Sequence, residues 1–239
     1  VIPLLSTQGA LASGVPGTLA GIFEAQAKFG KLKSSQILQP VIDLARNGFV
    51  ITKNQAERLR MHRQLFIQVN GPDTFFGKEI QVGDTLKIPV LASTLERIAK
   101  KGRDEFYKGE TAKILVKYLQ KNGGIITLKD LSKYEAKWRK PLQFTYKDLK
   151  ITSMSPPSSG GICLAQILKM LEPYDLAKMG HNTDEAIQVI VEAERRAYAD
   201  RSYFLGDPDF VKIPLKELMD TEYLKKRMAT LNLDKATLS

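Results

Sequence analysis

The sequence predicts an α+β protein that is mostly helical. Three observations predict it. Apolar residues recur at helical spacing in most segments. Glycine and proline punctuate those segments. One stretch, Leu142 to Met154, alternates instead and reads as strand. With 239 residues, 43% of them hydrophobic and 26% charged, the chain can bury a core without disulfides. Its single cysteine, Cys163, excludes an internal disulfide framework and a cysteine-rich zinc site. No clear linker interrupts the pattern, so 1–239 reads as one unit.

Gly14-Val-Pro-Gly17 is a turn signal, where glycine supplies permissive angles and Pro16 fixes its own φ. A helix follows from Thr18 to Phe29, with Leu19, Ile22, Phe23 and Ala27 at helical spacing and Gly30 at its end. Ser34 and Ser35 offer N-caps to the next helix, whose face carries Ile37, Val41, Ile42 and Ala45 and which Gly48 stops. Asn54 to Ile67 is a third helix. Gly71-Pro-Asp73 opens an irregular stretch to about Lys87, and Leu91 to Lys100 is helical again. Asp104 caps one longer helix carrying Phe106, Ile114, Leu115, Tyr118 and Leu119, ended by Asn122-Gly-Gly124. Thr127 caps a short turn to Leu131.

Strands are expected at Leu142–Tyr146 and Lys150–Met154, around a Lys147-Asp148 turn. Ser155-Pro-Pro-Ser-Ser-Gly-Gly161 then leads into an apolar helix from Ile162 to Leu171. Thr183 caps a long helix from Asp184 to Phe204, carrying Ile187, Ile190, Val191, Ala193 and Ala197. A last helix covers about Thr221 to Thr230.

The net charge is +10. Such a balance suits nucleic acid, anionic lipid or acidic partners. Here Lys and Arg are interleaved with Asp and Glu, and the densest cluster, Lys137-Trp-Arg-Lys140, is short. No nucleic-acid partner is therefore expected, and a stand-alone basic binding module is the alternative. No stretch has the apolar length that spans a bilayer. The Val-Ile-Pro-Leu-Leu opening, without Met or a basic n-region, reads as a piece of a longer polypeptide.

Several groups could carry chemistry. Ser158-Ser-Gly-Gly161 reads as a strand-to-helix turn with serine caps, and alternatively as an anion-binding nest. Ser158 or Ser159 as a nucleophile needs a base, and His62 and His181 sit in no telling motif. Asp200, Asp207 and Asp209 lie near Arg195, Arg196 and Arg201. They read as a helix end and a Gly-Asp-Pro turn with arginines pairing to the aspartates, and alternatively as a hard-cation site. Cys163 reads as a buried, inert thiol. None of these is a complete active site.

The longer strings carry a resemblance. They are Ala12-Ser-Gly-Val-Pro-Gly-Thr-Leu-Ala-Gly21, Phe29-Gly-Lys-Leu32, Gln39-Pro40 with Leu44-Ala-Arg-Asn-Gly-Phe49, and Asp104-Glu-Phe-Tyr-Lys-Gly109. Further on stand Gln120-Lys-Asn-Gly-Gly124, Ser155-Pro-Pro-Ser-Ser-Gly-Gly-Ile162, and Ala197-Tyr-Ala-Asp-Arg-Ser202 with Gly206-Asp-Pro-Asp-Phe210. In this order they resemble the large-subunit region of gamma-glutamyltranspeptidases (glutathione hydrolases).

The resemblance implies part of an αββα sandwich of the N-terminal nucleophile hydrolase type. It implies a precursor that cleaves itself, leaving an N-terminal threonine on a small subunit. That threonine attacks γ-glutamyl amides such as glutathione, with its own α-amine able to act as base. Water, an amino acid or a peptide then accepts the glutamyl group. The implied partners are the small subunit of the same precursor and small γ-glutamyl substrates; no cofactor or metal is implied. The implied location is periplasmic or secreted. A related amidase or acylase of the same fold is the alternative.

The chain departs from the family pattern at both ends. It has no Thr-Thr-His type string, so the nucleophile is expected beyond Ser239, and Thr237 lacks the family context. The family's carboxylate-binding arginine precedes the Val-Pro-Gly turn, whereas the first arginine here is Arg46, so that residue is expected before Val1. No catalytic or substrate-binding residue is carried over. Alone, the chain is expected to be inactive and to expose apolar surface that promotes self-association.

Overall fold

The computed structural model describes residues 5–237, and most of its helices lie where the apolar periodicity places them. Its contacts divide into two units, Val1–Lys137 and Trp138–Ser239, within the stretch read above as one.

The first unit contains α1 (Thr18–Phe29), α2 (Ser34–Asn47), β1 (Phe49–Val50), α3 (Lys53–Asn70), β2 (Thr85–Leu86), α4 (Pro89–Lys101), α5 (Arg103–Tyr107), α6 (Glu110–Lys121) and α7 (Leu128–Ser132). Helices α2 and α4 pack through Ile42, Ala45 and Ala92, with Leu38 and Leu95 at the margin. Ile37 and Val41 do not join that face; they are 45% and 47% exposed. Nor do Ser34 and Ser35 cap α2. They lie in its first turn, and the Gln36 side chain accepts the Lys33 amide at 3.1 Å instead. The stretch expected to be irregular contains β2, which pairs antiparallel with β1 (Phe49↔Leu86, Val50↔Thr85). Two residues are too few for an alternation to show.

The single helix expected after Asp104 is two, α5 and α6, broken at Lys108-Gly109. Glu105 makes the break. Its buried carboxylate accepts the Thr111 amide and hydroxyl, each at 3.2 Å, at the start of α6. Arg97 and Lys101 lie at 3.2 and 3.3 Å from it. Burial opposes the charge, but the Thr111 amide and Lys101 outweigh it, and the carboxyl stays below its ordinary value. A side chain at Gly109 would strike Glu105.

Tyr107, fully buried, organises the other half of this unit. Its hydroxyl donates to the Pro16 carbonyl at 2.7 Å and accepts the Ala20 amide at 3.1 Å. Its ring stacks on Tyr134 at 5.8 Å. The Val-Pro-Gly turn is thus pinned to the start of α1 from 87 residues away in sequence. Gly17 has ordinary helical angles, contrary to the expectation of special ones; it is small because Tyr134 fills the space a Cβ would need.

The second unit starts with an antiparallel hairpin, β3 (Leu142–Tyr146) and β4 (Leu149–Ser153), in register from Leu142↔Ser153 to Tyr146↔Leu149. The second strand begins one residue earlier than predicted. After it come α8 (Gly160–Leu171), α9 (Leu176–Met179), α10 (Asp184–Phe204), α11 (Leu215–Leu218) and α12 (Thr221–Met228). Leu142 and Phe144 cover Ile162 and Ala165 of α8. The far side of α8 joins α10 and α12 around Met170, Leu171, Val189, Ala193, Ala197, Leu224 and Met228. Ile187 and Val191 lie outside this core, 47% and 42% exposed. The four-residue α9 and α11 are too short for a periodicity to reveal.

Candidate functional site

Helix α10 carries a polar stripe on one face. Gln188, Glu192, Arg196 and Asp200 recur every four residues, the spacing that aligns side chains along a helix. Glu192, Arg196 and Asp200 are buried, and charged residues are buried when they are paired. Every member of the stripe binds the chain that returns through α12 to Thr237. Gln188 donates to the Asn232 carbonyl at 3.4 Å. Glu192 accepts the Thr237 amide at 2.9 Å and its hydroxyl at 2.5 Å. Arg196 donates to the Arg227 carbonyl at 2.6 Å, to the Thr230 hydroxyl at 2.8 Å, to the Thr237 hydroxyl at 3.4 Å, and to Glu192.

Asp200 closes the stripe. It accepts from Gln166 of α8 at 3.0 Å and from the Tyr223 hydroxyl at 2.9 Å, and pairs with Arg227 at 3.0 Å. Burial and the adjacent Asp200 push the Tyr223 phenol up. At Glu192, burial would raise the pKa. The Thr237 hydroxyl, the Arg196 guanidinium and the Thr237 amide outweigh burial and hold it at about 2. A cavity of about 310 Å³ lies beside the stripe, lined by Arg195, Arg196, Arg227, Thr230 and Thr237 among others.

The structure separates the aspartate–arginine cluster expected near the end of α10. Arg195 and Arg196 pair with Glu192, not with the aspartates. Arg201 donates to the Ser159 hydroxyl at 2.9 Å. Asp209 pairs with Arg139 at 2.9 Å, and Asp207 accepts the Asp209 amide at 2.9 Å within the Gly-Asp-Pro turn. The expected pairing had the right chemistry and the wrong partners, because Arg139 and Arg227 are distant in sequence. Among the described residues, no group of three His, Cys, Asp or Glu side chains could hold a metal ion.

The Ser155–Gly161 turn delivers the chain from β4 into α8. Ser159 is the N-cap position but its side chain makes no cap bond, contrary to the expectation. The Ser158 hydroxyl accepts the Gly160 amide at 3.4 Å. A Cβ on Gly161 would run into the Met154 carbonyl, which explains the second glycine by close approach. His62 is exposed on α3, and His181 is exposed in the loop before α10. Cys163 is buried, and burial pushes its thiol up. The positions expected for the nucleophile, beyond Ser239, and for the carboxylate-binding arginine, before Val1, lie outside the described residues.

Comparison with known proteins joins these features. The helices and hairpin are part of the N-terminal nucleophile hydrolase fold seen in structures of gamma-glutamyltranspeptidases. The crystal structure of Helicobacter pylori gamma-glutamyltranspeptidase matches with a TM-score of 0.93 at 43% identity, covering 99% of this chain and 69% of that one. The family model for gamma-glutamyltranspeptidase matches residues 3–239, and the chain belongs to that family. The glutathione hydrolase proenzyme of Escherichia coli is 43% identical over 230 residues, 95% of this chain and 40% of that protein. The glutathione hydrolase proenzyme of Pseudomonas aeruginosa is 42% identical over 234 residues, 97% of this chain and 42% of that protein. The chain therefore spans about two fifths of these relatives.

Proposed function

We propose that this chain is the scaffold portion of the large subunit of an enzyme that cleaves γ-glutamyl amides such as glutathione and passes the glutamyl group to water, an amino acid or a peptide. The single observation that carries this reading is the family match across residues 3–239. In this reading the nucleophilic threonine lies on a small subunit of the same precursor, beyond Ser239, and the arginine that binds the substrate carboxylate lies before Val1. The threonine hydroxyl adds to the γ-carbonyl, the amine leaves with a proton, and the acyl-enzyme ester passes the glutamyl group to its acceptor. Donors in an oxyanion hole stabilise the tetrahedral intermediate. Location in the periplasm or outside the cell belongs to the same proposal, and cell fractionation checks it.

The basic-module alternative is disfavoured by Arg139, which stands in the densest basic cluster and is engaged by Asp209 at 2.9 Å. Supplying the full-length protein with glutathione and following release of glutamate and cysteinylglycine tests the enzymatic reading. Absence of both products from a folded, matured protein would refute it.

A further inference from the structure

The polar stripe of α10 suggests more than packing. The geometry points to Glu192 and Arg196 as a latch that fixes the segment after α12, residues 229–237, and thereby positions the downstream site at which the precursor cleaves itself. This inference rests on the proposed function, because it needs a precursor that matures. The relatives reported above are proenzymes by name.

Three observations carry it. First, after α12 the chain turns back and is held against α10 with no helix or strand of its own. Side chains on three successive turns of α10 hold it, at Asn232, Thr230 and Thr237. Second, the grip is on both backbone and side chain of Thr237, so register as well as proximity is set. Third, Glu192 and Arg196 are 1% and 7% exposed, and their polar atoms meet this segment, the Arg227 carbonyl at the end of α12, Arg195 and each other. A buried ion pair adds little net stability compared with an apolar pair, but it specifies one geometry. Here the specified geometry is the path of the chain as it leaves α12 and runs back along α10. Glu192 and Arg196 are positioning residues in this account; neither is placed at the reacting atoms.

The cleavage being positioned is an intramolecular one. The threonine hydroxyl adds to the carbonyl of the residue before it. The amide C–N bond then breaks and the hydroxyl proton passes to the freed amine. Water hydrolyses the resulting ester to a carboxylate and the free hydroxyl. Such a shift depends on the local chain path, since a small misplacement of the attacking atom lowers the rate steeply.

The test uses the full-length precursor and the variants E192Q, T237V and T237S. Three quantities are measured: the half-time of conversion to two chains, hydrogen exchange of the 229–237 amides, and kcat/KM per matured molecule. E192Q and T237V are expected to slow conversion by about tenfold and to speed exchange in 229–237, leaving kcat/KM within about twofold. T237S keeps the amide and hydroxyl and is expected to mature like the wild type. Wild-type conversion rates in E192Q and T237V overturn the latch, as does slowed conversion without faster exchange in 229–237. If E192Q does not fold, T237V decides on the same readouts. A wild-type precursor that never cleaves refutes the proposed function itself and the latch with it; a wild type that cleaves beside unaffected variants refutes the latch alone.

Discussion

Glu192 accepts two hydrogen bonds from Thr237, 45 residues further along the chain, at 2.9 Å from its amide and 2.5 Å from its hydroxyl. Arg196, one turn along α10, completes the contact from the other side. Removing the carboxylate leaves the Arg196 charge buried with only neutral acceptors. Glu192→Ala is therefore expected to cost roughly 3–5 kcal/mol, the range for breaking a buried pair from one side. Urea unfolding of the variant beside the wild type measures it; a loss below about 1 kcal/mol would place the pair among solvent-screened surface contacts.

The same carboxylate sets a pH dependence. Its pKa is lowered in the fold from 4.5 to about 2, so the folded state binds fewer protons than the unfolded state. Its contribution is complete above 4.5 and is lost as pH falls through about 2. Pepsin cleavage after Leu231 or Leu233, compared with cleavage elsewhere in the chain, is expected to accelerate selectively as pH is lowered through that window. In E192Q that selective acceleration is expected to disappear.

Tyr107 gives a prediction in the first unit. Tyr107→Phe keeps the ring but leaves the Pro16 carbonyl and the Ala20 amide without their shared partner. A loss of about 1–3 kcal/mol is expected on thermal or urea unfolding. Gly17→Ala is expected to destabilise by a similar amount, about 1–3 kcal/mol, because the new methyl meets Tyr134. Equal stability of G17A and wild type would contradict that packing.

Cys163 is expected to be unreactive in the folded chain. It is 6% exposed, and burial holds its thiol above the ordinary value, so little thiolate is available. A thiol-specific chromogenic reagent should label it only at the rate of unfolding, and fast stoichiometric labelling of native protein would contradict its burial.

Much of this was legible in the sequence wherever a signal was local. The α1 and α10 limits follow from helical periodicity together with Gly17-Thr18 and the Thr183 cap, and the hairpin follows from alternation around Lys147-Asp148. Features whose cause lies far along the chain left no local signal. The α5–α6 break depends on Glu105 folding back onto Thr111, which no periodicity encodes. The partners of the aspartates, Arg139 and Arg227, are 70 and 27 residues away from Asp209 and Asp200. The stripe Gln188-Glu192-Arg196-Asp200 had a visible signal, four polar residues at helical spacing, but on a long helix that pattern normally marks a solvated face. The returning segment, together with Gln166 of α8, turns it inward.

The proposed function makes this chain the scaffold of a self-maturing enzyme that cleaves γ-glutamyl amides and depends on groups outside residues 1–239. The direct measurement is γ-glutamyl p-nitroanilide turnover by the 239-residue chain and by the full-length matured protein, side by side. Release of p-nitroaniline is expected from the matured protein, and none above background from the chain alone. Turnover by the chain alone, or its absence in a folded and matured full-length protein, would contradict it.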